Sequence, residues 1–223
     1  MVNVFIFGDS IGKGVVQDAE SERYQTLKLD AMEPLAQYKD VSLKNYSMFG
    51  CTVTKGLSLI ERHAEELAGC ERVILEFGGN DCDFPWAEVA QAPEQEHQPK
   101  NPLETFMRLY GAAIEKIQRA GAKPVLLTLP PLLAGRFFSK ISRGLNAQSL
   151  LKFLGGVDMI YRWQEMYSLA VLKLGKMLSV PVIDIRSAFL ARKELPELIG
   201  ADGMHPTGKG YALIVRTVCE GLA

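Results

Sequence analysis

Five short runs of apolar residues are distributed along the chain. Runs of this length and composition are typical of strands that are buried on both faces of a parallel sheet. They predict strands at residues 2–7, 41–46, 73–77, 124–129 and 181–185.

The stretches between these runs show the longer period of amphipathic helices. The clearest covers residues 103–120, where the apolar positions recur at intervals of three or four: Leu103, Phe106, Tyr110, Ile114 and Ile117. A closing helix is predicted after Pro206, with Thr207 as its N-cap. Strands alternating with helices predict an α/β fold, a three-layer α/β/α sandwich with a five-stranded parallel sheet, and flavodoxin-like strand order if the chain doubles back. Active sites of such folds lie at the carboxyl ends of the strands.

Two segments do not fit as plain crossovers between strands. Residues 82–100 are rich in acids and predict a solvated acidic loop, whereas residues 131–156 combine basic and aromatic side chains and predict an inserted helical segment. Both follow strands, so we expect them on the rim of a site at that edge of the sheet. The 131–156 segment would be a lid or a homodimer interface within a single domain that spans residues 1–223.

Charge and cysteine content narrow the class of protein. The 25 Lys and Arg residues nearly balance the 26 Asp and Glu residues, so no long-range field recruits nucleic acid or an anionic membrane, and a small molecule is the expected partner. No apolar run approaches the roughly 20 residues of a membrane span. The four cysteines have no metal-ligand spacing and indicate reduced, mostly buried thiols. The first residues indicate a strand rather than a signal peptide, so we expect a cytoplasmic protein unless an export signal has been removed.

The first predicted strand ends in the turn Gly8-Asp9-Ser10-Ile11-Gly12-Lys13-Gly14. Its glycines allow the backbone to bend and to approach a ligand, and a serine here is expected at the exposed start of a helix. A serine hydroxyl is a weak nucleophile unless a neighbouring base takes its proton, so Ser10 needs a histidine.

Three histidines are available for that role. His63 lies in a charged helical run and His97 lies in the acidic segment, so both indicate surface positions. His205 follows Asp202 by three residues in a turn between the fifth strand and the closing helix. Asp202 can orient one imidazole nitrogen and leave the other to face a serine, although a D-x-x-H pair alone is only suggestive.

Two further turns supply candidate donors for an oxyanion. Gly50 follows the second strand in Asn45-Tyr46-Ser47-Met48-Phe49-Gly50, and Asn80 follows the third in Gly78-Gly79-Asn80-Asp81. Taken together, the four blocks around Ser10, Gly50, Asn80 and His205-Pro206 resemble the four sequence blocks of the SGNH (GDSL) hydrolase family, in the family's order.

The resemblance implies that Ser10, Asp202 and His205 form a catalytic triad. The backbone N–H groups of Ser10 and Gly50, with the side chain of Asn80, would form the oxyanion hole. It further implies a serine esterase or acylhydrolase that cleaves carboxylic esters or thioesters of small compounds, sugars or lipids, without a metal or organic cofactor. The 131–156 segment matches no element of the family.

Two other functions are compatible with parts of this pattern. A flavodoxin-like binding module for a nucleotide or flavin is compatible with the fold, although the first turn lacks the spacing of a phosphate-binding loop. The second alternative is a protein that keeps the fold but has no catalytic activity. An esterase assay distinguishes this alternative from an active hydrolase.

Overall fold

A parallel sheet forms the centre of the protein. The structure, a computed structural model, describes residues 2–18, 21–27 and 41–222. Its strands are β1 (Val2–Gly8), β2 (Val15–Gln17), β3 (Tyr24–Thr26), β4 (Val41–Asn45), β5 (Arg72–Glu76), β6 (Lys123–Leu127) and β7 (Val182–Ile183). Five of them form the sheet in the order β4-β1-β5-β6-β7, and all neighbours are parallel. The predicted fold class and flavodoxin-like strand order are therefore confirmed.

Helices cover both faces of this sheet. In chain order they are α1 (Val53–Arg62), α2 (Ala64–Leu67), α3 (Trp86–Gln91), α4 (Leu103–Arg119), α5 (Ala134–Ile141), α6 (Ala147–Leu154), α7 (Asp158–Leu178), α8 (Ile185–Leu190), α9 (Leu195–Leu198) and α10 (Gly208–Leu222). Apolar side chains of α1, α4 and α7 form one core cluster with the sheet, while those of α8 and α10 form another. None of the helices in the described ranges has the length and apolar character of a membrane span.

The two helices with the clearest sequence pattern, α4 and α10, form at the predicted positions. Phe106, Tyr110, Ile114 and Ile117 of α4 are fully buried. The hydroxyl oxygen of Thr207 accepts a hydrogen bond from the N–H of Gly210 at 3.3 Å, which caps α10.

The strand predicted at residues 181–185 ends earlier than its apolar pattern suggests. Asp184 is the N-cap of α8, because its side chain accepts a hydrogen bond from the N–H of Ser187 at 3.1 Å. Ile185 therefore begins a helix instead of ending a strand. The antiparallel hairpin of β2 and β3 was not predicted at all.

The acidic segment is not simply the solvated loop that we expected. Residues 82–100 contain α3, and Phe84 and Val89 are buried in a cluster with Leu150 of α6. The acids stay on the outer side, where Glu94 forms an ion pair with Lys152. The apolar side chains between the acids make this segment a packing partner of residues 131–156.

Candidate active site

The turn after β1 carries Ser10 at the carboxyl edge of the sheet. One tight turn follows, in which the N–H of Lys13 donates to the carbonyl of Asp9 at 3.0 Å. Gly14 then takes a positive φ of 80°, and the chain enters the β2–β3 hairpin. The expected helix after Ser10 is therefore absent, and the serine, with 4% of its surface exposed, is not the open position that we expected.

The donors of this turn are already occupied by two buried carboxyl groups. The Asp9 side chain accepts from the N–H of Ile11 at 2.8 Å, and Glu76 Oε2 accepts from the N–H of Gly12 at 3.1 Å. A phosphate would require these same N–H groups. This arrangement argues against the nucleotide- or flavin-binding alternative.

The two carboxyl groups also perturb each other. Burial raises the pKa of Glu76 well above its ordinary value, and the negative charge of Asp9 raises it further. Burial likewise raises the pKa of Asp9, while hydrogen bonds from its neighbours oppose that shift. Glu76 therefore lies as a buried support beneath the serine turn, and burial favours its protonated form.

The turn after β4 holds the serine turn from the other side. The Asn45 side chain donates to the carbonyl of Gly12 at 2.8 Å, and its oxygen accepts from the N–H of Ser47 at 2.9 Å. A Cβ at Gly12 would lie 2.6 Å from the Ser47 hydroxyl oxygen, so a larger residue here would require Ser47 to move.

Ser10, His205 and Asp202 lie in one continuous hydrogen-bonded chain. Nε2 of His205 lies 2.9 Å from Oγ of Ser10, and Nδ1 lies 2.5 Å from Oδ2 of Asp202. All three residues are buried, and His205 is 0% exposed. A carboxylate only accepts hydrogen bonds, so Nδ1 carries the proton and Nε2 is left to accept from the serine hydroxyl.

Asp202 is held in its charged form by its surroundings. Burial opposes ionisation, but the hydrogen bond and charge of His205 and the N–H groups of Met204 and His205 outweigh it and hold the pKa of Asp202 below its ordinary value. The two N–H groups each donate to Oδ1 at 3.0 Å. The Tyr24 hydroxyl, from β3, donates to Oδ2 at 3.1 Å.

The 131–156 segment contacts the loop that carries these residues. It contains α5 and α6, as its predicted helical character requires, and it borders the site. Arg136 donates to the carbonyls of Pro196 at 2.8 Å and Ile199 at 2.7 Å. Lys140 Nζ donates to the Tyr24 hydroxyl and lies 3.6 Å from Asp202 Oδ2. The segment therefore braces the Asp202 loop.

Close packing at Gly203 reinforces that brace. Gly203 has a φ of 78°, and a Cβ there would lie 2.4 Å from the backbone nitrogen of Phe137. A side chain at this position would separate the segment from the loop.

The two predicted oxyanion-hole positions also reach this edge of the sheet. The Asn80 amide donates one hydrogen bond to Asp9 Oδ2 at 3.0 Å, which orients it and leaves its second N–H available. Within the described ranges, the N–H groups of Ser10 and Gly50 make no hydrogen bond to the protein.

The other two histidines lie outside the serine–histidine–aspartate chain. Nδ1 of His63 lies 2.7 Å from Glu66, and Nε2 of His97 lies 2.8 Å from the carbonyl of Ala92. Neither contacts Ser10.

An apolar cavity of about 30 Å³ adjoins the site. Gly79 and Met204, the residues before Asn80 and His205, line it together with Phe84, Leu132, Phe137 and Trp163. The polar side chains Asp83 and Gln164, which also line the cavity, form hydrogen bonds with other parts of the protein. Asp83 accepts from Lys100 Nζ at 2.9 Å, and the Gln164 amide donates to the carbonyl of Pro130 at 2.8 Å. The cavity therefore offers mainly apolar contacts.

Four residues of the site were not identified from the sequence. Glu76 had a signal, because it is an acid within an otherwise apolar strand. Asp9 precedes the serine, but its support role depends on Asn80 and Glu76. Tyr24 and Lys140 carry no local signal, since they reach Asp202 only through the tertiary fold.

Comparison with known proteins identifies the family. The family model described as GDSL-like Lipase/Acylhydrolase matches residues 6–213, which confirms the resemblance of the four sequence blocks. No curated protein matches the chain by sequence.

Solved structures share the fold at low identity. A lipase/acylhydrolase from Enterococcus faecalis superposes with a TM-score of 0.71 at 19% identity, over 100% of this chain and 95% of the other. An acetylxylan esterase from Geobacillus stearothermophilus gives 0.67 at 17% identity, over 100% and 94%. A lipase from goat rumen metagenome gives 0.67 at 16%, over 99% and 97%.

Proposed function

The chain belongs to the GDSL-like lipase/acylhydrolase family, and we propose that it cleaves the carboxylic ester or thioester of a small acylated compound, sugar or lipid through an acyl-enzyme. The observation that carries the proposal is the buried hydrogen-bonded chain from Ser10 through His205 to Asp202.

In the first half-reaction Ser10 Oγ attacks the acyl carbonyl carbon while its proton passes to His205 Nε2. The tetrahedral intermediate collapses, the bond between the acyl carbon and the leaving oxygen or sulfur breaks, and His205 gives its proton to the departing atom. In the second half a water molecule attacks the acyl carbon, its proton passes to His205, and Ser10 regains a proton as the acid leaves. Asp202 keeps the imidazole oriented and stabilises it when protonated.

The negative oxygen of the intermediate needs donors that are already in place. The N–H groups of Ser10 and Gly50 and the free N–H of Asn80 fit this role, because none of them is consumed by a bond within the described part of the protein. Asp9 supports the arrangement by fixing the Asn80 amide.

The apolar cavity beside Gly79 and Met204 is the proposed acyl pocket. At about 30 Å³ it has room for only a few heavy atoms. A short acyl group fits this space without rearrangement, and an acetyl group is the smallest candidate. The acetylxylan esterase among the structural relatives is compatible with short-acyl chemistry on this fold.

The test begins with p-nitrophenyl acetate and a fluorophosphonate. Ser10→Ala should abolish turnover and labelling while the fold persists, because the change removes one oxygen and adds no bulk. Ser58→Ala is the matched control, since its hydroxyl donates to the carbonyl of Thr54 in α1, away from Ser10. Wild-type turnover in Ser10→Ala would remove the serine from the mechanism. An acyl series from acetate to octanoate tests the short pocket.

Cytoplasmic location and a homodimer through residues 131–156 remain proposals. The four cysteines are thiols, and Cys51, Cys70 and Cys219 are buried, which is compatible with a reducing compartment. Sedimentation analysis of the purified protein would determine its oligomeric state.

A further inference from the structure

Two aromatic rings border His205 and remain open to solvent. Phe49 is 55% exposed and its ring is nearly parallel to the imidazole, at 10°, with the ring centroids 6.1 Å apart. Tyr24 is 37% exposed, and its ring centroid lies 5.1 Å from that of His205 and 5.6 Å from that of Phe49. We refer to these two residues as the aromatic platform.

The exposure of the platform contrasts with the burial of the residue beside it. His205 is 0% exposed, so the two rings help to cover the imidazole while they present apolar surface outward. Exposed apolar surface beside a reactive group is typical of a ligand contact. Aromatic rings also favour flat apolar partners through their shape and charge distribution.

The position of the platform indicates which part of the substrate it contacts. In the proposed mechanism His205 gives its proton to the leaving oxygen, so the carbon skeleton of the alcohol begins next to the imidazole. The proposed acyl pocket is lined by other residues, which include neither Phe49 nor Tyr24. The exposed rings at His205 are therefore placed for the alcohol portion of the ester.

The charges around the platform favour a neutral ligand. Lys140 lies over the Tyr24 ring at 4.8 Å and is also 3.6 Å from Asp202. Arg143 forms an ion pair with Glu22. Lys140 and Arg143 are thus engaged with groups of the protein, whereas the two rings present free apolar surface.

We propose that Phe49 and Tyr24 bind the alcohol portion of the substrate and select a neutral ring, such as a sugar or carbocycle, over a linear chain. This inference rests on the proposed esterase function and extends it to the leaving group.

Two acetate esters test the platform directly. Cyclohexylmethyl acetate and n-heptyl acetate have the same acyl group, the same number of carbons and a primary leaving oxygen. They differ only in the alcohol portion, which is a ring in the first ester and a linear chain in the second. Wild-type protein should show the higher kcat/KM on the cyclic ester. Phe49→Ala should reduce that preference about fivefold to tenfold, because it removes one aromatic contact, and Phe49→Leu should reduce it nearly as much because it keeps apolar bulk without a flat face.

Two further variants separate the platform from other effects. Met177→Ala, at a 71% exposed position on α7, should leave both rates unchanged. Tyr24→Phe keeps the ring but loses the hydroxyl that contacts Asp202, so it should lower both rates while preserving their ratio.

A binding measurement separates this inference from the proposed function. Calorimetry of both esters with Ser10→Ala protein, and with the Ser10→Ala/Phe49→Ala double variant, reports ring preference without turnover. Preferential binding of the cyclic ester that depends on Phe49 supports the platform. It does so even if the wild-type protein hydrolyses neither ester. That failure of hydrolysis would contradict the proposed esterase function and not the platform. Equal binding of both esters, or a wild-type preference that Phe49→Ala leaves intact, overturns the platform.

Discussion

The Tyr24 hydroxyl donates to Oδ2 of Asp202 at 3.1 Å, and the same oxygen lies 2.5 Å from Nδ1 of His205. Burial and the negative charge of Asp202 raise the pKa of Tyr24, so the hydroxyl keeps its proton and remains a donor. A residue of the β2–β3 hairpin therefore supports the acid that orients the proposed base.

Tyr24→Phe should lower kcat by roughly tenfold with little change in KM, since one hydrogen bond to a charged group is lost. Steady-state kinetics on p-nitrophenyl acetate measure the effect. Tyr46→Phe is the matched control, because it removes a similar bond, at 2.7 Å, to Glu66. An equal loss in both variants would show that the effect is general and not specific to Asp202.

Asn80→Ala should lower kcat by about 10²-fold to 10³-fold, because the amide meets the oxyanion as charge develops. It should also destabilise the fold by about 1–3 kcal/mol, since Asp9 loses a buried donor. Asn101→Ala removes a comparable bond, at 2.6 Å to Asp81, outside the proposed oxyanion hole. This control should lose stability but retain kcat, and a KM effect alone in Asn80→Ala would assign that residue to substrate positioning.

The raised pKa of Glu76 predicts a pH dependence of stability. The folded state keeps a proton that the unfolded chain releases above the ordinary value of 4.5. The stabilising contribution of Glu76 is therefore complete below that pH and is lost as pH rises through the folded-state pKa. The slope reaches at most about 1.4 kcal/mol per pH unit for this group.

Glu76→Gln should flatten this decline, because a carboxamide has a similar shape and no proton to release. Thermal unfolding of both proteins between pH 5 and 9 measures the difference. Glu88→Gln, at an exposed position in α3, should leave the slope unchanged. Identical slopes for the wild type and Glu76→Gln would rule out a raised pKa of the Glu76 carboxyl.

Arg136→Ala should reduce the free energy of unfolding by about 2 kcal/mol, because its guanidinium donates to the carbonyl of Pro196 in α9 and to that of Ile199, where the Asp202 loop begins. It should also lower kcat, since the loop loses its brace. Arg162→Ala, which removes an exposed pair with Asp158, should cost under about 1 kcal/mol. Chemical denaturation and kinetics on all three proteins test the brace, and a stable, fully active Arg136→Ala would refute it.

The β2–β3 hairpin shows where prediction from the sequence stopped. Each of its strands has only three residues, too few for a periodic signal, so the turn after β1 was expected to start a helix. The prediction of a solvated loop at residues 82–100 was wrong for a different reason. Its charged residues dominated the composition, while the burial of Phe84 and Val89 depends on the distant Leu150.

The sequence by itself determined the five strands of the sheet, the helices with a clear apolar period, the α/β class and the four blocks around Ser10, Gly50, Asn80 and His205, because periodicity and motif spacing are local properties. The tertiary structure alone decided which distant side chains support that edge. Tyr24 reaches Asp202 across 178 positions of the chain, and Glu76 reaches Gly12 across 64. Such contacts arise when parallel strands end at one edge and inserted segments pack over it, and no short stretch of sequence encodes them.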